Sequence, residues 1–338
     1  VTINTTAAGR PQAFTLPRLA HVAHVARRLG WQAGSALFPG RTARAFERVW
    51  FSLPPQKPAE APAVLAQARQ EWALVTGDGA PRRVRVYRWP GTGPTVLLAH
   101  GWGGRANQWR SAVPTLLAAG YRVVAFDALS HGLSDAGARG PGQSSLVEMS
   151  RSLLACAWHA GPIRAVIAHS LGAAATALAI REGLPVDAAV LIGAPADMAR
   201  ASARLAWQLG VTPDVLALTQ RNSERWLGMP WSAFNVPDIG RCRPVPSTLV
   251  IHDRDDSEVD WQDGAAIAGA WPGASLLTTD GLGHRRILHD AATLAKAVGF
   301  LDEALGDGGL SARARGGPRA QDRGLHDAGP HGVLGMAR

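Results

Sequence analysis

The stretch Ile163-Arg164-Ala165-Val166-Ile167-Ala168-His169-Ser170-Leu171-Gly172-Ala173-Ala174-Ala175 changes character at a single point. Residues 163–168 form a short apolar run of the kind buried on both faces of a parallel sheet. Residues 171–181 are alanine-rich and favour a helix, with Gly183 placed to end it. No polar linker separates the two, so the strand must pass straight into the helix with Ser170 on the bend. A turn that tight strains its central residue and admits only small neighbours. Ala168 and Gly172 satisfy that demand, although Ala168 carries one methyl more than the glycine usual in such turns.

Working outward, the same alternation of short β-branched runs and longer helical patterns extends over residues 71–305, which places the chain in the α/β class. Strands are expected at 71–76 and 83–89, the second with a period of two that suits an antiparallel pair at a sheet edge. Fully apolar strands follow at 95–99, 122–126, 163–168, 188–192, 248–251 and 275–278. Helices are expected at 107–117, 145–157, 171–181 and 287–305. Residues 196–246 exceed what one turn and one helix need, and they hold Met198, Trp207, Trp226, Met229, Trp231 and Phe234. This segment reads as a small helical cap; such aromatic side chains also serve as ordinary core.

The ends differ in character. Residues 1–70 carry an amphipathic helix at 18–29, with Leu19, Val22, Ala26 and Leu29 on one face, and a proline-rich linker at 54–62. Residues 306–338 are glycine, arginine and alanine with few large apolar groups, a composition expected to stay disordered. Across all 338 residues, 46% hydrophobic and 18% charged side chains exclude a wholly disordered polypeptide, and 38 glycines without a three-residue period exclude collagen.

The net charge of +9 raises a nucleic-acid partner. The excess is local, however: Arg10, Arg18, Arg27, Arg28, Arg41, Arg44 and Arg48 face only Glu47 in the first fifty residues. No nucleic-acid partner is expected, whereas a weak contact of the basic arm with an anionic membrane surface is weighed against its packing on the rest of the chain. No apolar run reaches the ~20 residues that span a bilayer, and no signal-peptide core follows a charged start. Two cysteines, Cys156 and Cys242, form no disulfide framework. The expected location is cytoplasmic.

A serine on such a bend becomes a nucleophile only when a base takes its proton. Upstream, Ala99-His100-Gly101-Trp102-Gly103-Gly104 follows another strand end, and its glycines let backbone amides converge. The N–H groups of Trp102 and of Leu171 are the expected donors to a developing oxyanion, with the helix dipole behind Leu171 adding positive potential. A phosphate reading of this turn lacks the GxxxxGK pattern and a complete dinucleotide fingerprint. Among eleven histidines, His284 lies in a glycine-rich loop after the last strand and is the expected base. His100 and His169 adjoin the two turns and read first as residues that hold those loops in place; with Trp226 and Trp231 they are also candidates for the substrate pocket. His131, His252 and His289 read as structural, and His21 and His24 lie outside the core. The orienting acid is expected in His252-Asp253-Arg254-Asp255-Asp256, where mutual repulsion lets one carboxylate turn inward; Asp256 is chosen. No compact metal-ligand spacing accompanies it.

These motifs together resemble the α/β-hydrolase superfamily, in the chain order Ser170, Asp256, His284 and with an HGW turn similar to those of carboxylesterase-like and lipase-like members. The resemblance covers residues 71–305. It implies a mostly parallel eight-stranded sheet, a cap between the sixth and seventh strands, no cofactor, and an acyl substrate of small-molecule size. It further implies a serine hydrolase acting on an ester or related acyl bond. Serine at 170 sets aside the branches that use aspartate or cysteine at that position. The alternative is a non-catalytic relative that keeps the pocket to bind a small ligand or a partner.

Overall fold

The computed structural model describes residues 16–55, 63–77 and 79–306. The expected tail lies outside the described residues from 307 onward, as do residues 56–62 of the linker. One eight-stranded sheet organises the chain in the order β1-β2-β4-β3-β5-β6-β7-β8. Its strands are β1 (Arg69–Val75), β2 (Arg82–Trp89), β3 (Thr95–Ala99), β4 (Arg122–Asp127), β5 (Ala165–His169), β6 (Ala188–Ile192), β7 (Ser247–Asp253) and β8 (Ser275–Thr279). β2 runs antiparallel to both β1 and β4, and every later pairing is parallel. The period of two in β2 thus marks the edge ribbon, while β3 to β7 are covered on both faces; β8, expected as a fully apolar strand, is instead a partly exposed strand at the opposite edge, where no further strand shields it.

Alternation along each strand feeds two cores. Leu97, Val124, Val166, Ala189 and Val250 point to one face, where they meet α5 (Leu146–Ala160), α6 (Leu171–Arg181) and α10 (Trp261–Ala270). Leu98, Val123, Ile167, Val190 and Ile251 point to the other, under α3 (Ala63–Ala66), α4 (Ala112–Ala118) and α12 (Ala291–Leu305). The shift of one residue between the two sets is the pleat itself. All parallel strands deliver their carboxyl ends to one edge, where β5 turns into α6.

Two expected helices are broken by local chemistry. In place of 107–117, a 3-10 turn at Ala106–Trp109 precedes α4, which leaves Pro114 in the first turn, where its missing N–H costs nothing. In place of 287–305, the short α11 (Gly283–Arg286) and a 3-10 turn at Ile287–His289 precede α12, and His289 is therefore not on the final helix. Asp290 forces the break: its Oδ2 accepts from the N–H and the hydroxyl of Thr293, capping α12.

Between β6 and β7 the long insertion folds as α7 (Met198–Leu209), α8 (Pro213–Leu227), a 3-10 turn at Trp231–Phe234 and α9 (Val236–Cys242). Pro213 opens α8, and left-handed Gly210 and Gly228 end α7 and α8. The N-terminal region is more structured than a single helix. α1 (Leu16–Leu37) is followed by α2 (Pro39–Phe51), in which Ala43, Phe46 and Phe51 are buried at helical spacing. Ala43 and Phe46 join Ala206, Val211 and Val215 in a third small core, so α2 is seated on the cap. Ala26 and Leu29 of the expected apolar face are exposed, Leu29 by 58%. The side chains of Leu19 and Val22 lie outside the described residues. Trp31 and Ser35 turn toward the protein instead.

Candidate active site

Ser170 occupies the bend between β5 and α6 at φ 54°, ψ −127°, a conformation that costs a residue with a Cβ on the order of 1–3 kcal/mol. The surrounding packing holds it there. The Ser170 N–H donates to the Ile192 carbonyl at 2.8 Å, and the helix begins at the next residue. A Cβ on Gly172 would lie 2.3 Å from the His100 carbonyl oxygen, so only glycine lets the β3 turn and the start of α6 approach this closely. Ala168 is fully buried, and its extra methyl packs in the apolar core beneath the turn.

The structure brings the three expected residues together. Ser170 Oγ is 2.9 Å from His284 Nε2, and His284 Nδ1 is 2.6 Å from Asp256 Oδ2. With its N–H on Nδ1 facing the carboxylate, the imidazole presents the Nε2 lone pair to the hydroxyl. Asp256 Oδ1 accepts from the N–H groups of Glu258 at 2.8 Å and Val259 at 2.9 Å. Burial alone would raise the Asp256 pKa, but hydrogen bonds from His252, His284 and the Val259 amide outweigh it and hold the carboxyl well below its ordinary range.

A second imidazole serves the same carboxylate, which sequence reasoning passed over. His252 is fully buried, its Nε2 lying 3.4 Å from Asp256 Oδ2 and 3.1 Å from the Val259 carbonyl. Both neighbours are acceptors, so the proton sits on Nε2 and the ring braces the acid. The expectation of one inward carboxylate is also corrected. Asp253 is buried too, its Oδ2 accepting from Thr279 Oγ1 at 2.7 Å and the Leu282 N–H at 3.0 Å. Asp255 Oδ2 accepts from the Gly281 N–H at 2.8 Å. Separate donors for each carboxylate remove the repulsion that the sequence implied. Asp253 and Asp255 thereby hold the loop that carries His284.

Trp102 and Leu171 both border the cavity that opens at Ser170. Among the described residues neither of their backbone N–H groups has an acceptor. His100, His169 and Trp226, expected to line the pocket, do not; Trp231 does. The His100 ring is engaged on both nitrogens: Nδ1–H donates to the Gly101 carbonyl at 2.8 Å and Nε2 accepts from the Ala128 N–H at 2.9 Å. His169 Nε2–H donates to the His284 carbonyl at 2.9 Å, fixing the backbone behind the imidazole. Burial lowers their pKa values to about 4 and about 3 respectively, so both rings are neutral supports. Trp226 points away, donating to the buried Glu47 at 3.1 Å beneath Arg139. Among the described residues, no group of three or more His, Cys, Asp or Glu side chains is placed to hold a metal ion.

Comparison with known proteins agrees with this layout. A sequence profile described as the alpha/beta hydrolase family matches residues 96–297, more than half of the chain. The magnesium-chelatase 30 kDa subunit of Rhodobacter capsulatus is 36% identical over 125 residues, or 35% of this chain and 43% of that protein. The match thus spans less than half of that relative. Among solved structures, bromoperoxidase from Bacillus anthracis superposes with a TM-score of 0.52 at 20% identity, covering 69% of this chain and 100% of the other. A thermophilic esterase from Thermogutta terrifontis gives a TM-score of 0.51 at 19% identity, covering 70% and 99%. At these identities the two structures speak to fold.

Proposed function

The chain belongs to the alpha/beta hydrolase family, and from that premise we propose that it is a serine hydrolase cleaving a carboxylic ester or related acyl bond. The observation that carries this reading is the continuous relay from Ser170 Oγ through His284 to Asp256, at 2.9 and 2.6 Å. Ser170 Oγ attacks the acyl carbon while His284 Nε2 takes its proton. Asp256, held ionised, orients the ring and stabilises the imidazolium. The oxyanion is received by the N–H groups of Trp102 and Leu171, at the positive end of α6. When the bond to the leaving oxygen breaks, the imidazolium returns its proton to that oxygen and the acyl group stays on Ser170. Water, deprotonated by the same nitrogen, then attacks the acyl-enzyme and releases the acid. Each step uses one base, one acid and one pair of donors, all gathered at the sheet's carboxyl edge.

A fluorophosphonate probe phosphonylates an activated serine and tests this directly. The wild-type chain is expected to be labelled and Ser170→Ala not. Turnover of p-nitrophenyl acetate should fall by about 10⁴–10⁶ in that variant while its circular dichroism is retained. A wild-type protein that takes no label would favour the non-catalytic alternative. Undiminished turnover in Ser170→Ala would remove Ser170 as the nucleophile.

A further inference from the structure

The cavity beside Ser170 has a volume of about 550 Å³ and walls of two kinds. Arg200, Arg204 and Glu258 are charged and exposed, and mark the rim where it meets water. Phe51, Leu227, Trp231 and Phe234 are buried and mark its dry interior. Phe51 and the half-buried Trp50 come from the last turn of α2, well outside the segment 96–297 that matches the family. We propose that this turn of α2 and Trp231 form an apolar subsite for the hydrocarbon part of the substrate, with Trp50 in contact with it. The link to turnover rests on Ser170 as nucleophile; the binding does not.

The wall is built to stay in place. Trp50 and Trp231 stand with ring centroids 5.8 Å apart, and Phe51 packs edge-on against Trp226 at 4.7 Å. Trp231 cannot swing away, because its Nε1 donates to Ser223 Oγ at 2.9 Å and to the Gln220 carbonyl at 3.2 Å. The chain leaving α2 is fastened as firmly. The Phe51 carbonyl accepts from the Ser144 N–H at 3.0 Å, and the Leu53 N–H donates to the Gly142 carbonyl at 2.8 Å. Trp102 Nε1 donates to the Ser52 carbonyl at 3.3 Å. Pro54 lies so close to Gly103, at φ 67°, that a Cβ there would sit 2.4 Å from its ring. The segment that walls the cavity therefore also seats the turn bearing the Trp102 amide.

An apolar face fixed in this way rewards a ligand that is long enough to cover it and ignores one that is not. Acetate esters end near Ser170, whereas a ten-carbon chain must pass along the aromatic wall. The ratio of kcat/KM for p-nitrophenyl decanoate to that for p-nitrophenyl acetate reads the subsite. In the full chain, Trp50→Ala is expected to lower this ratio at least tenfold, and Trp50→Phe, which keeps an aromatic face, by two- to fivefold. Should Trp50→Ala lose its fold, the Phe variant carries the test. A ratio that stays the same or rises in the folded variants would overturn the proposal. Calorimetric binding of decanoate to Ser170→Ala, with and without Trp50→Ala, separates the two readings. A fivefold or larger weakening is expected there even if Ser170 is not the nucleophile, and equal affinities would overturn the subsite alone.

Discussion

Acidification should unfold this protein through three imidazoles that take no part in the proposed chemistry. His100, His131 and His169 are buried around the two turns, and burial lowers their pKa values to about 4, 3 and 3, with the His100 ring adding to the effect at His131 and His284 at His169. In the unfolded chain each returns to about 6.5. Between these values the unfolded state binds a proton that the native state refuses, so stability is complete above pH ~6.5 and falls as the pH drops toward the folded values. One proton contributes about 1.4 kcal/mol per pH unit, and three give roughly 4 kcal/mol per unit between pH ~6 and ~4.5. A loss of ~6 kcal/mol over that window is comparable to the whole stability of an ordinary domain, about 5–15 kcal/mol. Asp127 and Glu148, whose pKa values burial raises, oppose this by taking up protons in the native state first. The decisive quantity is therefore a difference of slopes. His131→Phe fills a similar volume and removes one titrating ring, whose Nδ1–H donates to the Leu129 carbonyl at 2.9 Å. Urea titrations at pH 7, 6 and 5 should show the fall in unfolding free energy reduced relative to wild type by about 0.7 kcal/mol between pH 7 and 6 and about 1.2 kcal/mol between pH 6 and 5. Superimposable slopes would refute the account of His131 as a ring kept neutral by burial.

The orienting role of Asp256 is tested by Asp256→Asn, which removes the charge facing two imidazoles; kcat on p-nitrophenyl acetate should fall by about 10⁴ in a variant that keeps its circular dichroism but melts below wild type. A loss smaller than tenfold would show that Asp256 does not orient the base. Gly172→Ala would place a methyl 2.3 Å from the His100 carbonyl and push the Trp102 turn from the start of α6. Because that movement separates the two proposed oxyanion donors, kcat should fall by about 10²–10³. Unaltered kcat in the purified variant would separate the two turns functionally.

Much of the layout was legible in the residues because it follows from local rules. A run such as Val166-Ile167-Ala168 favours burial in a sheet, and Leu171–Arg181 is rich in alanine and leucine, so the bend at Ser170 was fixed by its neighbours. Order along the sheet then brought serine, acid and histidine to strand ends in a sequence that motif spacing already suggested. Helix α2 was missed although its buried Ala43, Phe46 and Phe51 recur at helical spacing, since seven arginines and a proline-rich sequel drew it into a single basic arm. The choice between pocket and loop support for His100 and His169 needed the structure for a related reason. His100 and His169 are next to the motifs in sequence, but a side chain adjacent to a tight turn points wherever the backbone sends it, and here that is into the support beneath the turn.

The sequence by itself determined the class of fold, the bend at Ser170 and the identity of the residues with suitable chemistry, because strand, helix and turn preferences act over a few neighbouring residues. Only the tertiary structure decided that Asp253 and Asp256 both turn inward, that His252 braces the acid, and that α2 walls the cavity. Those outcomes depend on donors and surfaces contributed by segments as far apart as Phe51 and Trp231. Whether a buried carboxylate is tolerated, or an aromatic ring faces ligand or core, is settled by what lies against it in space, which local preference does not encode.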